Sequence, residues 1–137
     1  MSAGAVWLVA FAVRGAAQSP PQTPVAAEVS TSAGVFSAGQ ASKGEQVFGN
    51  ICQGCHNTAG FSNDKFKETW NGRPVAELFA LISESMPDDS PGSLPMPEYV
   101  QVVAYLLKLN GQPAGKADLP VEVDALKKIK MELKKED

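Results

Sequence analysis

A chain of 137 residues with a formal charge of −3 suits one compact domain and is too short for two. That charge argues against nucleic-acid binding, which needs clustered Lys and Arg to displace counterions from phosphates. Only two cysteines and one histidine are present, too few for a disulfide framework or for four zinc ligands.

In chain order, residues 3–13 form an apolar run, followed by Arg14 and the small residues Gly15, Ala16 and Ala17. The run resembles a secretory hydrophobic segment with cleavage after Ala17, so 1–17 is expected to be a signal peptide and the protein exported, in a bacterium to the periplasm. A membrane span needs roughly 20 apolar residues, more than this run offers. An uncleaved anchor is the alternative, which leaves membrane association open. Residues 18–38, rich in Pro, Ser, Thr and Ala, show no sustained period and are expected to form a flexible tether.

The folding core is expected over 39–111. Gly44, Val47, Phe48 and Ile51 recur at helical spacing, so a first helix over 41–51 delivers Cys52 at its C-terminal end. Asn63 or Asp64 caps a short second helix through Trp70. Pro74 suits the first turn of a third helix with Leu78, Phe79, Leu81 and Ile82 apolar. Residues 84–94, with two prolines and a glycine among Asp and Ser, read as a loop. Ser93 is the expected cap of a fourth helix, with Pro95 and Pro97 in its first turn and a stop at Asn110-Gly111. No strand signal is evident, so the fold class is all-α. Residues 112–137 read as a tail with an amphipathic helix, its stripe made by Val123, Leu126, Ile129 and Leu133.

Cys52, Cys55 and His56 are the chain's whole supply of these ligands, in the pattern C-x-x-C-H. Two thiols three positions apart reach the two vinyl groups of one porphyrin as thioethers, and the adjacent imidazole meets the iron from one face. A thioredoxin-like reading lacks its βαβ context, and three contiguous ligands cannot surround a tetrahedral zinc ion. The cofactor is therefore expected to be one haem c with its iron. With His56 the only histidine, a second axial ligand from this chain is sought among the methionines. Met1 lies in the expected signal and Met131 in the charged tail. Met96 lies between two prolines at a helix start, and Met86 lies in the irregular loop with Pro87 behind it. Met86 is the leading candidate and Met96 the second, with an open site as the third possibility; the competing role for any lone methionine is core filling. Leu78, Phe79, Ile82 and Trp70 are expected to wall the haem. Trp70 and Arg73 are candidate donors to its propionates, against the plainer roles of core and solvated residue.

From about residue 41 to 111 the chain resembles a class I, mitochondrial-type cytochrome c. The resemblance rests on Gly44 and Phe48, eight and four residues before Cys52, and on Met86-Pro87 ahead of the last core helix. It implies three to five helices wrapped around the haem, with the Gly44/Phe48 face crossing the last helix at Tyr105. The strings 70–72, 78–82, 86–94, 98–107 and 126–129 are similar to single-haem cytochromes associated with bacterial quinoprotein dehydrogenases. The resemblance implies an electron carrier, not an enzyme, with a dehydrogenase as donor and an oxidase or another cytochrome as acceptor. The alternatives are an open-site haem protein for gas sensing or peroxidatic chemistry, and a haem subunit of a larger oxidoreductase. Class I cytochromes usually place a proline after the motif, whose carbonyl orients the histidine; here none occurs between His56 and Trp70, so a carbonyl within 57–61 is expected in its place. Residues 74–107 hold five acids and no base, so the distal loop side is expected to be acidic.

Overall fold

The computed structural model describes Met1 and residues 27–135, so the expected signal segment beyond Met1, and residues 18–26 of the expected tether, lie outside the described residues. Five α-helices are present among them: α1 (Ala38–Val47), α2 (Asp64–Trp70), α3 (Val75–Ser85), α4 (Met96–Leu109) and α5 (Val123–Leu126). The fold is the expected all-α cytochrome c type.

Helix α1 starts where the Ser37 hydroxyl accepts the Gln40 N–H at 3.0 Å, an N-cap. It runs into a wider π-turn (Phe48–Cys52), in which the Gln53 N–H reaches back five residues to the Phe48 carbonyl. Ala41, Gly44 and Phe48 are buried on one face, and α1 packs against α4 through them. A Cβ at Gly44 would stand 1.8 Å from the Gln101 carbonyl oxygen, so the two backbones meet there with no room for a side chain. Phe48 and Tyr105 pack beside the crossing with ring centroids 5.6 Å apart, as the resemblance implies.

Asn63 caps α2 through the Phe66 N–H as expected, whereas Pro74, expected in the first turn of α3, stands one residue before it as the N-cap. Helix α4 begins one residue after Pro95 with Pro97 in its first turn, and no side chain caps it. Ser93, the expected cap, instead bonds back to Ser90 within the preceding loop. The two prolines supply the stop-start signal themselves, since a first turn has unpaired N–H groups in any case. Residues 99–107 of α4 are buried except for a half-buried Gln101, which places this helix at the centre of the core.

Two expectations fail at the ends of the domain. The described part of the 18–38 tether is packed: Thr31 and Phe36 are 0% and 1% exposed. The 112–137 tail carries a single helical turn, α5, and then runs extended. There Ile129, Met131 and Leu133 are buried and Lys130 and Lys134 exposed. That alternation has a period of two and belongs to a strand, not to the helical stripe expected for the tail. Strand β1 (Val29–Ser30) pairs in parallel with β2 (Ile129–Lys130), a short pairing not expected from the sequence. The Ser30 and Ser32 hydroxyls both donate to Glu132, and these bonds hold its carboxyl below the usual range. Behind them the Gly115 N–H donates to the Phe36 carbonyl at 2.7 Å. A Cβ at Gly115 would stand 1.9 Å from the Gly34 carbonyl oxygen.

The belt made by these two ends fixes the turn between α2 and α3. The Gly72 N–H donates to the Met131 carbonyl (2.7 Å), the Met131 N–H to the Arg73 carbonyl (3.0 Å), and the Leu133 N–H to Asn71 Oδ1 (2.9 Å). The segment that ends in Trp70 and launches α3 is thus held from outside.

Candidate haem site

A cavity of about 450 Å³ opens between the end of α1, helices α2 and α3, and α4. Cys52, Cys55, His56, Trp70 and Met86 all line it. Cys52 ends the π-turn, and the Cys55 and His56 N–H groups both return to its carbonyl at 3.1 and 2.9 Å. The motif is therefore one compact turn that presents two sulfurs and an imidazole to the same space. Burial pushes the Cys52 thiol up in pKa, which keeps it protonated. An exchange-active or metal-binding cysteine needs the opposite shift. Among the described residues, no group of three or more His, Cys, Asp or Glu is placed to hold a bare metal ion.

Aromatic rings back the imidazole. The Phe61 ring meets His56 edge-on at 5.3 Å, and Phe61 in turn contacts Phe48 (5.7 Å) and Phe66 (6.0 Å), with Phe66 packed on Trp70 (6.2 Å). Of the carbonyls within 57–61, those of Asn57, Thr58 and Phe61 already accept hydrogen bonds, from the Gly60 N–H, the Ser62 hydroxyl and Asn110 Nδ2. The last of these, at 2.7 Å, anchors this proline-free loop to the C-terminal end of α4.

The methionines separate cleanly. Met86 sits at the C-cap of α3 in extended conformation and lines the cavity. Met96 is 51% exposed and Met131 is 1% exposed beneath the belt; neither lines it. Met131 is thus a core residue, not part of a solvated tail. Leu78, Ile82 and Trp70 line the cavity as expected, whereas Phe79, expected beside them, is buried in the core away from it. Positions 78 and 82 share a helix face and 79 is turned about 100° from 78, so only one side of an apolar run can face the cavity. The Arg73 guanidinium lies 4.4 Å over the Trp70 ring and pairs with Glu77, outside the cavity lining. Trp70 has no hydrogen bond to its indole N–H among the described residues, which leaves that donor free for an acceptor. The sequence reading missed Phe61, Phe66 and Tyr99, which line the cavity from three different segments. Their common signal, a large aromatic in each segment, does not distinguish a cofactor wall from an ordinary core.

The donor set fits a haem: the lining is mainly apolar, with two thiols and an imidazole at one end and a thioether from another element. When bound, a haem would supply a one-electron couple, and Cys52, Cys55, His56 and Met86 would hold it within the apolar lining. Residues 39–106, just under half the chain, match the family model for cytochrome c oxidase, cbb3-type, subunit III. No curated protein and no solved structure matches the chain. The match supports a cytochrome c domain over the segment it covers, and such a domain implies haem-based electron transfer between redox partners. Such domains are generally exported, and no helix among the described residues is long and apolar enough to cross a membrane.

Proposed function

We propose that this protein is a c-type cytochrome acting as a periplasmic single-electron carrier, with one haem held by thioethers from Cys52 and Cys55 and ligated by His56 and Met86. The observation that carries the reading is that the only two cysteines, the only histidine and one methionine share a single apolar cavity. With both axial positions filled by side chains, no position is left for a substrate, and thioether ligation favours Fe(II) and raises the potential. Trp70 is the proposed propionate donor, with Arg73 stacked behind it. The likeness to quinoprotein-associated cytochromes supports a periplasmic dehydrogenase as donor and an oxidase or another cytochrome as acceptor.

The direct test is a pyridine haemochrome assay on the exported protein. It should find one haem per chain that acidified organic solvent does not extract, and a Cys52→Ala, Cys55→Ala double variant should lose it. An exported polypeptide that is colourless, with both thiols free to titrate, would overturn the assignment.

Asp88 and Asp89 stand exposed at the cavity and Glu84 is exposed nearby on α3; none has an ion-pair partner among the described residues. Ile51 and Leu81, 40% and 53% exposed, give the same rim an apolar component. The proposed partner surface is therefore basic around an apolar centre. Bimolecular electron transfer with such a partner should slow about tenfold between 10 mM and 500 mM salt. A rate independent of ionic strength would reject acidic docking.

A second reading, a haem-bearing subunit of a larger oxidoreductase, is favoured by the description of the matched family. Co-purification of the chain with an oxidase or dehydrogenase from native membranes separates it from a free carrier.

A further inference from the structure

We infer that Tyr99 is a positioning residue for Met86, its phenol tying together the two ends of the loop that carries the thioether; this rests on Met86 serving as an axial ligand. Tyr99 lies in the first turn of α4, is 1% exposed and lines the cavity. Its hydroxyl donates to the Met86 carbonyl at 2.7 Å and accepts the Leu94 N–H at 3.3 Å. The residues between, 88–93, are exposed and bond chiefly to one another: the Gly92 N–H to the Met86 carbonyl, Ser90 to Pro87, Ser93 to Ser90. Among the described residues, Tyr99 is the only side chain from outside the loop that hydrogen-bonds to it.

A ring alone would fill this part of the core. A hydroxyl placed in an apolar wall is costly unless it is fully partnered, so its presence needs a reason. The reason offered by the geometry is the loop. The Met86 N–H is already held by the Ile82 carbonyl at 2.9 Å, so holding the Met86 carbonyl as well restrains the direction of its Cα–Cβ bond, and holding Leu94 closes the loop's far end on the same phenol oxygen. The number of arrangements in which the thioether swings clear of the cavity falls accordingly. An exogenous ligand that needs the sixth position must wait for those open arrangements, so its apparent affinity reports their population.

The experiment titrates the ferric, haem-loaded protein with imidazole and follows the sulfur-to-iron charge-transfer band. Tyr99→Phe keeps the ring that fills the core and removes one oxygen. It should retain the band without imidazole and lose it at about five- to tenfold lower imidazole than wild type. Tyr105→Phe is the control, because its ring packs on Phe48 outside the cavity lining and its hydroxyl contacts no part of the loop; it should match wild type. A wild-type imidazole affinity in Tyr99→Phe overturns the inference, as does an equal shift in Tyr105→Phe, which would mark general loosening of the core. Failure of the underlying ligand assignment is read separately: Met86→Ala would then keep the band.

Discussion

Gly44→Ala is expected to unfold the domain at least about 10 °C below wild type, the opposite of what helix propensity alone gives. In an exposed helix, replacing Gly by Ala stabilises by about 1 kcal/mol. At position 44 the new methyl would overlap the backbone of α4, 1.8 Å from the Gln101 oxygen and 2.4 Å from its carbon. Neither atom is the end of a flexible side chain, so the helices must separate along the whole crossing. Separation opens the contact of Phe48 with Tyr105 and shifts Cys52, which follows Phe48 on the same turn. Overpacking of an ordinary core position costs about 1–3 kcal/mol, and a backbone-on-backbone overlap belongs at or above that upper end. A domain of this size has only about 5–15 kcal/mol to lose, with each kcal/mol worth about 4 °C. Gly39 is the internal control, because its nearest neighbour is the Ser37 hydroxyl at 3.8 Å. Thermal unfolding followed by circular dichroism should show Gly39→Ala at or above wild type and Gly44→Ala far below it. Similar melting temperatures for the two variants would mean that the crossing is looser than described.

That pair of glycines shows what a sequence can reveal. Gly44 shares the helical stripe of Val47, Phe48 and Ile51 and Gly39 does not, but only its distance from the cysteines, which fits a family pattern, marks it as a helix crossing. The helices were legible because their apolar residues recur at three and four. Their starts were legible where a side chain caps, as at Asn63, and misplaced where proline alone sets the start, as at Pro95. The belt was missed for a physical reason. The stretch 129–134 alternates apolar and Lys or Glu with a period of two, but Leu126 and Leu133 also fit a helical stripe, and Lys-rich segments favour that reading. Only the partner strand at Val29–Ser30, a hundred residues away in sequence, decides between them. The tether reading of 18–38 failed likewise over its described residues, because the burial of Phe36 depends on the segment around Gly115 and not on its neighbours in sequence.

The candidate site was legible in its reactive atoms and not in its walls. Two thiols and an imidazole within five residues constrain chemistry before any folding is considered. Phe79 against Phe61 is the counterexample: the first was expected in the wall and faces the core, while the second was overlooked and sits edge-on to the imidazole. Apolar side chains serve either place equally well, and only the rotation of each segment about its axis selects between them.

Met86→Ala should leave a haem with an open sixth position, and it decides between a carrier and a ligand-binding protein. The wild type should be low-spin with a sulfur-to-iron charge-transfer band. The variant should lose that band, turn high-spin, bind imidazole or cyanide readily, and fall in potential by about 120 mV or more. For a one-electron couple that drop is a hundredfold in equilibrium constant, a modest figure for losing a ligand that prefers Fe(II). Folding should change little, because Met86 is half-buried at a helix end and its carbonyl keeps its bonds from Tyr99 and Gly92. Met96→Ala supplies the contrast: that side chain is half exposed and away from the cavity, so spectrum and potential should stay at wild-type values. Met131→Ala should instead cost about 2–5 kcal/mol of stability through the cavity left under the belt, with the band intact. Three methionines therefore give three separable outcomes: a lost ligand, no effect, and a weakened core. A wild-type protein that is already high-spin, with no band for Met86→Ala to remove, would make the chain an open-site haem protein and reject the His56/Met86 assignment.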